Sequence, residues 1–169
     1  YVHFMKAEAA MWLGDVSTAR AMMEIGMQHS FDKVLSMGSV DPEADSNYFA
    51  TATEVSDFIA MKLAEFDAAP LSNAHDPFAP SANKDKLDVL GEQYFVAMYG
   101  GAYDAWNFIR RTGHPRHIAL GVMDNNESGL FPRTGTYPSG EISANPNILQ
   151  RQDNNTQVFW DAGVVNPQN

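Results

Sequence analysis

Apolar residues recur at helical spacing through the first two thirds of the chain and lose that rhythm afterwards. From about Tyr1 to Leu13, Val2, Met5, Ala9 and Trp12 or Leu13 fall on one stripe, which predicts a first helix. Gly14 ends it and Asp15 caps the next, its carboxylate accepting from the free N–H groups of a positive helix end. A second helix is predicted from Val16 through Ala19, Met22, Met23, Gly26 and Met27 to about Leu35. Ala7, Ala9, Ala10, Ala19 and Gly26 are small enough to let these two helices pack closely as an antiparallel hairpin. Leu13-Gly14-Asp15-Val16-Ser17-Thr18-Ala19 matches the interhelical loop of a tetratricopeptide-type repeat, with no clear second copy at a period of about 34 residues.

A turn region over residues 39–48 precedes a third helix, about Thr53 to Asp67, with Val55, Phe58, Ile59, Leu63 and Phe66 facing inward. Pro70, Pro77 and Pro80 make the next stretch a loop. A fourth helix covers about Asn83 to Met98 on a stripe of Leu87, Leu90, Tyr94, Phe95 and Met98. Gly100-Gly101 breaks it, and a fifth follows from about Ala102 to Arg111. Its end is well marked: Arg110 and Arg111 at the negative pole of the dipole, Gly113 for a left-handed turn, Pro115 to block continuation. Tyr94, Phe95, Tyr99, Trp106 and Phe108 read as core aromatics. The fold class is all-α, a tetratricopeptide-like helical hairpin plus further helices. Residues 1–113 are mainly helical, and 114–169 form a long irregular segment, rich in Asn, Pro and Gly, packed on the helices.

Charge removes several functions. With 11 Lys and Arg against 21 Asp and Glu, the net charge is −10, and the one tandem basic pair is Arg110-Arg111. A nucleic-acid partner, or electrostatic adhesion to an anionic membrane, needs clustered basic residues that this chain lacks. The absence of cysteine excludes disulfides, thiolate metal sites and a cysteine nucleophile. No run approaches the roughly 18–20 apolar residues of a membrane span. The pattern is helical from residue 1 with no cap before it, so the chain reads as starting inside a helix, with any targeting signal or anchor upstream.

Candidate chemistry is sparse. Asp41, Glu43 and Asp45 alternate as in a calcium loop, but Ser46 replaces the turning glycine and Ala52 the bidentate glutamate of an EF-hand. His114 and His117 are close in sequence, yet Pro115 breaks their helical spacing and nothing nearby completes a zinc set. There is no nucleophile elbow and no phosphate-cradling glycine loop. A glycosidase pair of carboxylates, roughly 5–9.5 Å apart, is a spatial feature that the order of residues leaves open. No catalytic residue and no cofactor or metal is assigned. Tyr48, Phe78, Phe131 and Tyr137, in irregular segments, are the candidates for stacking a ring on the apolar face of a sugar.

Four stretches then resemble one family. Gly101-Ala-Tyr-Asp-Ala-Trp106-Asn-Phe-Ile-Arg110-Arg111-Thr112-Gly113-His-Pro115 resembles the Trp/Arg-Arg-Thr-Gly/Pro signature of SusD/RagB-like outer-membrane lipoproteins. Phe131-Pro132-Arg133-Thr-Gly-Thr-Tyr137-Pro138-Ser-Gly-Glu141-Ile-Ser-Ala-Asn145-Pro146-Asn147 is similar to its arginine, Tyr-Pro, Glu, Asn-x-Asn stretch. Val158-Phe159-Trp160-Asp161 is similar to its closing aromatic-Trp-acid motif, and Ala7-Glu8-Ala9 fits its tetratricopeptide-like scaffold.

The resemblance implies an exported, non-enzymatic protein, lipid-anchored at the outer face of the outer membrane. It would bind an oligosaccharide, or sometimes a peptide, and serve as the lid of a SusC-like TonB-dependent transporter. It also implies that residues 1–169 are the carboxy-terminal part of a single larger SusD-like domain, with the lipid-bearing cysteine upstream. Trp106, Arg110, Arg111, Arg133 and Glu141 are expected to be structural, pinning the tail to the helices through charge-assisted hydrogen bonds to tail carbonyls or to Glu141. The alternative is a tetratricopeptide-type scaffold for a peptide or protein partner, which a hairpin groove lined by Asn and Arg rather than aromatics would favour.

Overall fold

The computed structural model describes residues 1–71, 84–116, 132–151, 156 and 158. Six α-helices follow one another: α1 (Val2–Trp12), α2 (Val16–Val40), α3 (Ala52–Ala68), α4 (Lys86–Ala97), α5 (Ala102–Thr112) and α6 (Ser139–Ala144), with a 3-10 turn at Ser46–Tyr48. There is no strand among the described residues. No helix among them is long and apolar enough to cross a membrane.

The α1–α2 hairpin turns as its residues dictate. Gly14 takes φ +77°, a region where a Cβ is strained. The Asp15 carboxylate accepts from the Thr18 N–H at 3.0 Å and the Ser17 hydroxyl at 2.8 Å. Those bonds, Thr18 first, hold the Asp15 carboxyl below its ordinary range. The small residues do their expected work at one point: a Cβ on Gly26 would lie 2.9 Å from the Phe4 ring.

The face that α1 buries is not the expected one. Phe4, Ala7, Glu8 and Ala10 are buried, whereas Val2, Met5, Trp12 and Leu13 are exposed. This helix is apolar nearly all round, so its hydrophobic pattern does not select a face. Close approach to α2 does, because Ala7, Ala10 and Gly26 permit a contact that larger residues would hold open.

α2 runs to Val40 rather than ending near Leu35, and its last turns are covered by Phe49, whose ring would meet a Cβ on Gly38 at 3.0 Å. α3 starts with a capping box in which Thr51 and Glu54 satisfy each other's backbone N–H groups. It buries Val55, Ile59, Leu63 and Phe66, with Phe58 half-buried edge-on to Phe31. Arg20 of α2 reaches both oxygens of Asp67 on α3 at 2.9 Å.

α4 begins at Lys86, where Asp85 and Asp88 form a capping box; Asn83, its expected start, lies outside the described residues. The buried Lys86 ammonium donates to the carbonyls of Phe66 and Asp67, so one side chain closes the end of α3 from the start of α4. One core joins the helices: Phe4 stacks on Tyr94 at 5.5 Å, and Tyr94 meets the edge of Phe108 at 5.0 Å. Burial, first of all, raises the Tyr94 hydroxyl's pKa far above its ordinary value. Phe95 and Tyr99 depart from the core role expected of them. Phe95 is 45% exposed, and Tyr99, past the end of α4, is 97% exposed. α6 is a short helix inside the segment read as irregular; with no periodic apolar run it buries no residue.

Candidate functional site

α5 carries the tandem arginines to opposite sides. Its C-terminus forms as the residues ask, with Gly113 at φ +71° and its N–H on Ile109 O at 2.7 Å. The Trp106 indole N–H donates to Pro132 O at 2.5 Å. Arg110 lies over the Trp106 ring, 3.6 Å from its centroid, and donates to Arg133 O at 2.6 Å and to Asn107 Oδ1 at 2.6 Å. Trp106 and Arg110 thus grip the backbone at 132–133. Arg111 turns the other way and meets no tail carbonyl among the described residues: it pairs with Glu8 of α1, Nε to Oε1 at 2.8 Å and Nη2 to Oε2 at 2.6 Å. The Glu8 carboxylate raises the Arg111 pKa further. Glu141 sits exposed in the first turn of α6, and its carboxylate takes no bond from Arg110 or Arg111.

The segment from 134 to 151 has its own clamp. Gln150 bonds both the N–H and the carbonyl of Tyr137, each at 2.9 Å. Arg151 lies over the Tyr137 ring at 4.7 Å and donates to Thr134 and to Gly135 O. One face of Tyr137 is therefore already covered by a guanidinium. Tyr48, on the 3-10 turn, is 86% exposed. Phe78 and Phe131, like His117, lie outside the described residues.

A buried charge cluster forms where α4 begins and α5 has ended. Asp88 accepts from the Arg116 backbone N–H at 2.9 Å and from its guanidinium, which also lies 3.2 Å from Asp85. His114 is enclosed, with Nδ1 2.6 Å from Thr112 O and Nε2 3.1 Å from Asp85 Oδ2. A carbonyl and a carboxylate only accept, so this pair of partners favours hydrogen on both ring nitrogens, the imidazolium form of His114. Burial works against that charge, but the bond to Asp85 and the charges of Asp85 and Asp88 overcome it and raise the pKa. Asp85, Asp88 and His114 place ligand-type atoms within 4.8 Å of one another. Those atoms are occupied in capping α4 and pairing with His114 and Arg116, two carboxylates against two cations. The cluster is a saturated structural joint. In the acidic loop, Asp41 and Asp45 likewise accept from the N–H groups of Glu43 and Asn47, two residues on.

Among the described residues, two of the grooves lie on the helices. One, of about 500 Å³, lies among α2, α3 and α4, mostly apolar, with Phe31, Phe58, Phe95 and Val96 in its walls and Lys62 and Glu92 among its few polar groups. The other, of about 460 Å³, lies between the middle of α2 and the α4–α5 turn. Tyr1 and Tyr99 supply its rings, His29, Ser30 and Lys33 its polar side chains, and Gly100-Gly101 its floor. Neither Tyr48 nor Tyr137 lines either groove. Tyr99 reads as a core residue because its spacing continues the α4 stripe; its place beside Gly100-Gly101 is the signal that it sits on a turn.

No curated protein and no solved structure matches the chain. A family does: residues 1–161 match the one described as SusD-like, Susd and RagB outer membrane lipoprotein. The match spans the hairpin, the charge cluster, the Trp106–Arg110 grip and the closing aromatic motif. The chain belongs to the SusD-like family of outer membrane lipoproteins.

Proposed function

We propose that this chain belongs to a protein that captures an oligosaccharide at the outer face of the outer membrane and hands it to a SusC-like TonB-dependent transporter, without chemically altering it. The family match over residues 1–161 carries this reading, since the family is one of binding proteins rather than enzymes. On it, residues 1–169 are the carboxy-terminal part of a single larger domain held to the membrane by an upstream lipid. Trp106, Arg110, Arg111, Arg133 and Glu141 shape the scaffold rather than touch ligand. For Trp106 and Arg110 the bonds to the 132–133 backbone support this; for Arg111 the pair with Glu8 does.

The groove between α2 and the α4–α5 turn favours a sugar over a peptide. Among the described residues two tyrosines line it, and neither Asn nor Arg does. Its size is within the range of small-molecule sites, and an exposed ring offers the flat apolar face on which a sugar's C–H face stacks.

The test is titration of the full-length protein with soluble starch, xylan, pectin and a casein-derived peptide mixture, with reducing sugar assayed in parallel. Binding to a polysaccharide without release of reducing ends is the expected result. Released sugar overturns the non-catalytic reading. Binding confined to peptides puts the tetratricopeptide-type scaffold first.

A further inference from the structure

We infer that the groove between α2 and the α4–α5 turn is a subsite for an anionic sugar, a uronate or a sulfated ring. This rests on the glycan-binding reading above and goes beyond it by naming the charge of the ligand and the residues that select it.

The first ground is charge. The chain carries 21 acidic residues against 11 lysines and arginines, yet among the described residues no Asp or Glu lines this groove, and both His29 and Lys33 do. They stand one helical turn apart on α2, so they present nitrogen to the same space. His3 of α1 lies edge-on to His29 at 4.9 Å and adds a second imidazole at the rim.

The second ground is that Lys33 is unlike most cations of the fold. Arg20, Lys62, Lys84, Arg111 and Arg116 each face a carboxylate, and Lys86 faces two carbonyls. The Lys33 ammonium has no ion pair among the described residues and stands exposed. A cation used to hold the fold is tied down in this way; one left untied at a concave surface is available to an anion. The apolar groove differs on this point, because its Lys62 and Glu92 already pair with Glu65 and Lys84.

The third ground is the ring. Tyr99 is 97% exposed, on a turn shaped by Gly100 at φ +87° and by the Gly101 N–H bonded to Met98 O at 2.6 Å. Tyr1 also lines the groove, its hydroxyl 3.4 Å from Asp104. A sugar ring stacked on Tyr99 places a carboxylate or sulfate within reach of Lys33 and His29. Stacking supplies affinity for any pyranose; the Lys33 ammonium discriminates by charge, and His29 adds a hydrogen-bonding nitrogen.

Isothermal titration of the full-length protein with hexasaccharides of galacturonate, hyaluronan and chondroitin sulfate, beside maltohexaose and xylohexaose, tests the inference. At least one anionic ligand should bind, and Lys33→Met and Tyr99→Ala should each weaken it by about tenfold or more. Tyr99→Phe should retain it, and raising salt from roughly 50 to 300 mM should weaken it. Unchanged affinity for the anionic ligand in both Lys33→Met and Tyr99→Ala overturns the subsite. Binding of a neutral hexasaccharide with none of the three anionic ones also overturns it but leaves the glycan-binding reading intact. Binding of none of the five by a folded protein removes both.

Discussion

Arg111 and Glu8, 103 positions apart, form a two-point ion pair that ties the end of α5 to the buried face of α1. The two partners are unequal. The Glu8 side chain is 7% exposed, while Arg111 is 42% exposed. Truncating each therefore leaves a different remainder behind.

Arg111→Ala strands a buried carboxylate and should cost about 2–3 kcal/mol of stability. Glu8→Gln leaves a guanidinium that reaches water and should cost about 1 kcal/mol. Urea denaturation of the two variants checks the order. Ligand affinity should be unchanged in Arg111→Ala, and lost affinity at wild-type stability would show that Arg111 belongs to the binding surface.

Gly26→Ala brings a Cβ to 2.9 Å from Phe4, which is itself stacked on Tyr94 and cannot swing away freely. Overpacking of this kind costs about 1–3 kcal/mol, offset by up to about 1 kcal/mol of better helix propensity. A net loss of about 1 kcal/mol is expected. A Phe4→Leu background should remove most of the penalty, and a double-mutant cycle by thermal denaturation reads the coupling. Full additivity would contradict the contact.

The imidazolium of His114 predicts an alkaline loss of stability. Its folded pKa is raised by Asp85 and Asp88 against the opposing effect of burial, with Arg116 and the Thr112 carbonyl as its other charged and polar neighbours. A raised histidine contributes stability that is fully present below the unfolded value of about 6.5 and lost as pH rises through the folded one. Stability should fall above neutral pH in the wild type, and that fall should flatten in His114→Asn. The His114 ring proton shift, followed by NMR, should titrate above the ordinary imidazole range.

Trp106→Phe removes one donor and keeps the ring under Arg110. Loss of the bond to Pro132 should cost about 1 kcal/mol. More tellingly, it should speed amide exchange in residues 132–151 while α3 and α4 keep their protection. Uniform acceleration across the helices would mean that Trp106 supports the core rather than the tail.

Much of the architecture was legible along the chain because its causes are local. Asp15, Gly14 and Gly113 act within a few residues of themselves, and so the hairpin turn and the end of α5 stand where expected. The periodic face of α3 is two-sided enough that Val55, Ile59, Leu63 and Phe66 fall inward as read. The family signature was legible for the same reason, being a string of residues at fixed spacing.

Tertiary packing decided the rest. α1 is apolar on most sides, so the close fit of Phe4, Ala7 and Ala10 against α2 at Gly26 chose its buried face. The partner of Arg111 lies 103 residues away and that of His114 lies 29, and nothing within a helical turn specifies either distance. Tyr99 shares the spacing of a core residue but stands in water, because α4 stops before it and the Gly100-Gly101 turn carries the chain away. Local sequence sets which residues can be helical and where helices stop. Which faces touch, and which cation is left untied at a groove, depends on contacts between distant segments that exist only once the chain has closed on itself.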